Sequence, residues 1–291
     1  MRLGYACIND SINCTTNSTF RLRNYSEEKL IEKVQDNLDC FMRILKWNVE
    51  NDIKFFRLGS GLIPFASHDI CKFDWKSRFK KNFQLIGNYI KKNEIRITMH
   101  PDQFVIINAL NPDIVEKSIR ELEYHCEILD LMNLDSRAKV LIHVGGVYGE
   151  KDKSIKRFIS NYKKLPLKIK KRLVIENDHV SYSLKDCLDI HKKTGVPVVF
   201  DSFHHECLNN NESMKKAFSM AKKTWKKKDG NIVVHYSSQK KDGAYGSHSE
   251  AIDIEHYKKV LKDFGSKDFD LMLEIKDKEK SLLKIKNNIL S

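Results

Sequence analysis

The chain has 291 residues and a formal net charge of +13, from 52 Lys and Arg against 39 Asp and Glu. With 41% hydrophobic and 31% charged residues, it is neither disordered nor membrane-embedded, and it is long enough to bury a sizeable core. It has no apolar run of about 18 residues and no signal peptide before polar Asn9 and Asp10; its seven scattered cysteines, without a C-x-x-C pair, argue against a disulfide framework or cysteine zinc site and for a reducing cytoplasm.

Taken in order, short apolar runs alternate with helical patterns. The first run is Leu3–Ile8. Ser26 then reads as a helix N-cap, with Glu27 and Glu28 in the first turn, where carboxylates complement the helix dipole. Leu30, Val34, Leu38, Phe41 and Leu45 recur at three- and four-residue steps and make one apolar stripe. The second run, Lys54–Leu58, leads to a stripe of Trp75, Phe79, Phe83, Ile86 and Ile90. The third, Ile95–Met99, precedes Asn111-Pro112, a start signal with Pro at the first helical position. Lys139–Val144, Leu173–Ile175, Val196–Phe200, Asn231–Val234 and Phe269–Leu273 complete eight runs with little polar alternation, as in strands buried on both faces. Eight strands alternating with helices predict a single (β/α)8 TIM barrel over residues 1–291. A doubly wound open sheet is the alternative, but the expected Gly-rich first turn is missing.

The residues at the strand ends point to chemistry. His100 comes after the third strand, His143 after the fourth, Glu176 after the fifth, Asp201 after the sixth, with His204 three residues on, His235 after the seventh and Glu274 after the eighth. In a barrel all of these face one mouth, at the C-terminal ends of the strands. Ionisable groups buried together cost several kcal/mol each unless they are paired or bind cations. Mixed imidazole and carboxylate donors suit Mn²⁺, Zn²⁺ or Fe²⁺, and so many ligands imply two or three ions. His68 and His248 lie in loops beyond the second and seventh strands and are further candidates. His125 falls on an apolar helix stripe and reads as packing, while His191 and His256 read as helix surface. Gly59-Ser60-Gly61 reads as a turn, and no P-loop or G-x-S-x-G elbow exists. The basic runs Lys222–Lys228 and Lys168–Arg172 precede strands, so they read as solvated surface away from the mouth.

These residues resemble the UV damage endonuclease family. The resemblance rests on Gly4-Tyr5, Phe56-Arg57-Leu58 with Pro64–His68, and Met99–Phe104, then on His143–Gly146, Glu176-Asn177-Asp178, Asp201–His205, His235-Tyr236-Ser237 and Leu271–Lys278. It implies a TIM barrel related to endonuclease IV-type abasic-site nucleases. It also implies a monomer acting on double-stranded DNA with UV lesions, by ATP-independent incision immediately 5′ to the photoproduct that leaves 3′-hydroxyl and 5′-phosphate ends. Two or three divalent ions are expected, manganese first, with zinc, cobalt or magnesium as alternatives. By the likeness His100, His143 and Glu176 hold one metal, and Glu176 bridges to a second held by Asp201, His235 and Glu274. His204 and His248 hold a third. Tyr5, Gln103 and Phe104 match the lesion-probing residues, and Asn9 and His68 are expected to join them against DNA. Phe104 stands where the family often has Tyr. Some members carry a carboxylated lysine two residues before the histidine matching His235; Val233 stands here, so no such modification is expected. The competing readings are an abasic-site endonuclease, a TIM-barrel sugar isomerase and a non-catalytic DNA-binding module.

Overall fold

In a computed structural model of the chain, which describes residues 1–289, eight parallel strands close into one barrel in sequence order. They are β1 (Arg2–Ala6), β2 (Phe55–Leu58), β3 (Arg96–Met99), β4 (Lys139–His143), β5 (Leu173–Glu176), β6 (Val198–Asp201), β7 (Val233–Tyr236) and β8 (Asp270–Leu273). Each of the eight apolar runs overlaps a strand. His143, Glu176, Asp201 and His235 lie within their strands rather than after them. No helix among the described residues is long and apolar enough to cross a membrane.

Side chains alternate along a strand with period two. One set points into the barrel, where Ala6, Phe55, Leu141, Val174, Val199, Val233 and Met272 form an apolar cluster of their own. The other set faces the helices and forms the larger core. Below the apolar cluster, charged pairs line the other end of the barrel, beside a cavity of about 630 Å³. Arg96 Nη1 lies 2.8 Å from Asp270 Oδ2, and Lys139 Nζ lies 2.5 Å from Asp229 Oδ1, all four groups buried. Arg96 also sits against the Phe55 and Trp225 rings.

The helices form where their stripes meet that outer face. The first, α1 (Glu27–Glu50), is capped by Ser26, whose hydroxyl accepts from Lys29 N; α2 (Trp75–Lys92) is next, and α3 (Pro112–Leu131) is capped by Asn111. Gly87 of α2 touches the chain beyond α3 so closely that a Cβ there would stand 1.8 Å from the Met132 carbonyl oxygen. Buried polar residues interrupt the α1 stripe. Asn37 donates to the carbonyls of Ser18, Gly61 and Leu62, fixing the loops after β1 and β2. His125 is buried within α3, its Nδ1 on the Glu121 carbonyl, as packing requires.

Two expectations are corrected. Cys14 and Cys40 form a disulfide, with Cα atoms 5.7 Å apart. The 26-residue separation gives no linear cue; α1 brings Cys40 back against the loop after β1. Arg172 is not solvated surface but buried, held by Asp130 and by the carbonyls of Leu134, Asp135 and Ala138.

Removing Asp270 strands Arg96 in the barrel floor. Asp270→Ala is expected to cost about 3–5 kcal/mol, as for other broken buried pairs. Urea unfolding measures it, and a loss below about 1 kcal/mol, as at exposed pairs, would show that the floor does not depend on this pair.

Candidate metal centre

The alternation that fills the barrel also builds its mouth. Two residues beyond Phe55, Leu141, Val174, Val199, Val233 and Met272 stand Arg57, His143, Glu176, Asp201, His235 and Glu274. His100, two beyond Thr98 on β3, completes the ring. The mouth opens as a cavity of about 450 Å³ whose lining includes Arg57, His100, His143, Glu176, His204, His248 and Glu274.

Glu176 is at the centre, 1% exposed. Its two oxygens face different partners. Oε1 lies 3.1 Å from His143 Nε2 and 3.5 Å from His100 Nε2, while Oε2 lies 2.8 Å from His235 Nδ1. Two sets of ligand atoms converge, one from His100, His143 and Glu176, the other from Glu176, Asp201 and His235. Glu176 Oε2, Asp201 Oδ2 and His235 Nδ1 are buried without a properly angled hydrogen bond despite their closeness. Buried polar atoms rarely stay unmatched, and these three fit a shared cation.

Neighbours fix the ligands. His100 Nδ1 faces the Pro101 carbonyl at 2.7 Å, His204 Nδ1 that of Asn177 at 3.0 Å and His248 Nδ1 that of Glu274 at 2.8 Å. Each leaves Nε2 for a ligand, the arrangement usual around metal-binding histidines. Asn177 bonds both the amide and the carbonyl of Asp201, locking β6 to β5. Asp201 Oδ1 caps the short helix Ser202–Cys207 through His204 N at 2.7 Å and leaves Oδ2 toward the site.

Burial would raise the Glu176 and Glu274 carboxyls, but the cations around them hold both well below the usual range: His143 and His235 at Glu176, Arg57 and His235 at Glu274. Burial works against the charge on His235, yet Glu274 and Glu176 push it up to about 10. Burial lowers His143.

The other expected residues separate. Glu274 is in the mouth, with Oε1 3.0 Å from His235 Nδ1, but it is also ion-paired with Arg57. The His204 and His248 rings lie 5.7 Å apart, beside rather than within the two convergent sets. Gln103 lines the cavity, and Phe104 is 75% exposed at the loop tip after β3. Tyr5 and Asn9 are both buried. Tyr5 is out of phase with the interior residues Gly4 and Ala6, so it faces α1, where its hydroxyl donates to Asn48 at 2.7 Å and accepts from Asn9. His68 is exposed on the loop after β2, its Nδ1 accepting from Ile70 N, and does not reach the ligand cluster. Val233 is buried in the apolar layer below. Sequence reasoning missed Arg57, because it searched the strand ends for metal donors alone, and gave no role to His179, whose ring lies 5.2 Å from His204 in the same cavity. His205 is buried against Phe200.

A sequence model of the family described as UV-endonuclease UvdE matches residues 1–291. A UV DNA damage endonuclease of Clostridium perfringens is 42% identical over 291 residues, covering 99% of this chain and 71% of that protein. One from Bacillus cereus strain G9842 is 34% identical over 261 residues, covering 89% and 82%. Among solved structures, the crystal structure of SacUVDE superposes with a TM-score of 0.94 at 41% identity, covering 100% of this chain and 99% of that one. A D-psicose 3-epimerase from Clostridium cellulolyticum H10 superposes with a TM-score of 0.54 at 12% identity, covering 94% and 85%, a likeness of fold alone.

His235 yields a pH prediction for metal-free protein. Its folded value, about 10, lies above the ordinary 6.5, so its contribution to stability is full below about pH 6.5 and lost as pH rises through 10. Thermal melts in EDTA should show a falling Tm between pH 6.5 and 10; a rising Tm would show His235 neutral in the free protein.

Proposed function

The chain belongs to the UV-endonuclease UvdE family, and from that premise we propose that it incises double-stranded DNA immediately 5′ to UV photoproducts, without ATP, leaving 3′-hydroxyl and 5′-phosphate ends. The observation that carries the metal-dependent part is Glu176, whose two oxygens are turned to two separate ligand sets.

His100, His143 and Glu176 would hold one divalent ion, and Glu176, Asp201 and His235 a second, with Glu274 at its edge. His204 and His248 would hold a third. Imidazole and carboxylate donors suit Mn²⁺, Zn²⁺ or Co²⁺ better than a hard ion such as Mg²⁺, and the family likeness puts Mn²⁺ first among them. Bound there, the ions would supply an activated water and neutralise charge on the leaving oxygen. The protein's part is positioning. Glu176 sets the spacing of the two sites, the carbonyls of Pro101, Asn177 and Glu274 orient His100, His204 and His248, and Asn177 fixes Asp201.

Phe104 and Gln103 are the residues we assign to the lesion. A damaged step gives up its stacking cheaply, and an exposed aromatic wedge can replace it. Phe104 offers a ring without a hydroxyl. Tyr5 and Asn9 act indirectly, by bracing the start of the loop after β1, and His68 remains an outer DNA contact. The +13 charge suits the phosphate backbone. One barrel holds all these residues, and by the family likeness the protein acts as a monomer.

A nicking assay with Mn²⁺ on end-labelled duplexes tests the reading, using a photoproduct, an abasic site or no lesion. Incision 5′ to the photoproduct, abolished by Glu176→Gln, is expected. Incision only at the abasic site would replace the UV lesion as the substrate. No incision with metal bound would overturn the nuclease.

The lesion assignment separates two aromatics. Phe104→Ala should lower the preference for damaged over intact duplex and leave Tm unchanged. Tyr5→Phe should leave that preference intact and cost about 1 kcal/mol for its lost hydrogen bonds. The reverse pattern in binding titrations and melts would return Tyr5 to the lesion.

A further inference from the structure

We propose that Arg57 is a further catalytic residue, whose guanidinium grips a non-bridging oxygen of the phosphate to be cut. The inference rests on the endonuclease reading above. Arg57 stands at the mouth by the same alternation that places the metal ligands, and its side chain is 12% exposed. It lines the cavity together with His100, His143, Glu176 and Glu274.

Three observations point from this position to an anion. First, Arg57 has five donor hydrogens, and the described residues use only Nη1, on Glu274. Nε is buried without a partner. The guanidinium donors that Glu274 leaves unused favour an acceptor arriving in the cavity. Second, Arg57 is the one Lys or Arg lining the cavity among the described residues. The other ionisable groups there are imidazoles, which bind cations when neutral, carboxylates and the Tyr148 phenol. A phosphodiester therefore meets a single fixed positive charge of the protein's own. Third, Glu274 orients the guanidinium from one edge, leaving the other donors of the planar fork to a phosphate oxygen. A guanidinium held in this way stabilises charge developing on a phosphoryl group without reorganising as it forms.

The competing role is structural, with Arg57 as a counter-ion that holds Glu274 in place. The test compares the unaltered protein with Arg57→Ala and Arg57→Lys. Binding is measured in EDTA to two photoproduct duplexes, one natural and one with a neutral methylphosphonate immediately 5′ to the lesion. The natural protein should prefer the charged duplex by about tenfold, the worth of a charge-assisted hydrogen bond. Arg57→Ala should bind the two alike, and Arg57→Lys should recover only part of the preference. Calorimetry with Mn²⁺ alone should show Arg57→Ala binding metal at least as tightly as the natural protein, because a competing cation has gone. Its single-turnover incision should fall by about 10²–10³-fold, as when an oxyanion donor is removed.

The comparison of two duplexes by one variant does not depend on small losses of folded protein. Equal preference for the charged duplex in Arg57→Ala and the natural protein would overturn the proposal. So would weaker Mn²⁺ binding in Arg57→Ala, which would make Arg57 an anchor for Glu274. Failure of the unaltered protein to incise any photoproduct duplex would overturn the endonuclease reading, and this inference with it.

Discussion

Period-two alternation in a closed parallel barrel is the constraint on which the rest depends. Once a strand is committed to the barrel, every second side chain must enter its interior. Phe55, Leu141, Val174, Val199, Val233 and Met272 fill it. The next inward residue on each of those strands then has no choice but the mouth. Arg57, His143, Glu176, Asp201, His235 and Glu274 are therefore gathered by the same rule that packs the core. A one-residue slip of any strand would turn its ligand toward the helices.

That gathering has an electrostatic consequence. The apolar layer separates two charged ends with opposite solutions to burial. At the floor, Asp270 meets Arg96 and Arg2, Lys139 meets Asp229, and Arg96 also meets backbone carbonyls. The charges of the floor are paired within the protein, beside a cavity of about 630 Å³ that Arg2, Arg96 and Asp270 line. At the mouth, Glu176, Asp201 and His235 come close but leave oxygen and nitrogen atoms unmatched. The mouth is left incomplete, and incompleteness of this kind asks for cations and an anionic substrate. Stability lies at one end of the barrel and chemistry at the other.

The loops after β1 and β3 are held unequally. The segment after β1 is pinned by the Cys14–Cys40 disulfide, by Asn37, and by Glu279, which accepts from the amides of Asp10 and Ser11. Tyr5 and Asn9 belong to that anchored region. The segment after β3 is held at its base by Ser118, Asn161 and Arg157, while its tip turns outward with Gln103 and Phe104 exposed. A wedge needs a fixed base and a free tip, and only the second loop combines them.

The sequence by itself determined the barrel and most of its mouth. The eight runs, the caps at Ser26 and Asn111 and the ligand-type residue near each strand end are local patterns, set by side-chain size, polarity and spacing, and they are visible in the linear chain. Tertiary structure decided what depends on distance through space. It turned Glu176 to face two ligand sets, paired Glu274 with Arg57, joined Cys14 to Cys40 and buried Arg172. It also hid Tyr5, whose motif said lesion but whose place in the alternation said helix. Motifs record which side chains are present. The direction each one faces, and the partner it meets, is settled only when the sheet closes and its helices pack, because both are fixed by strand register and by contacts between residues far apart in the chain.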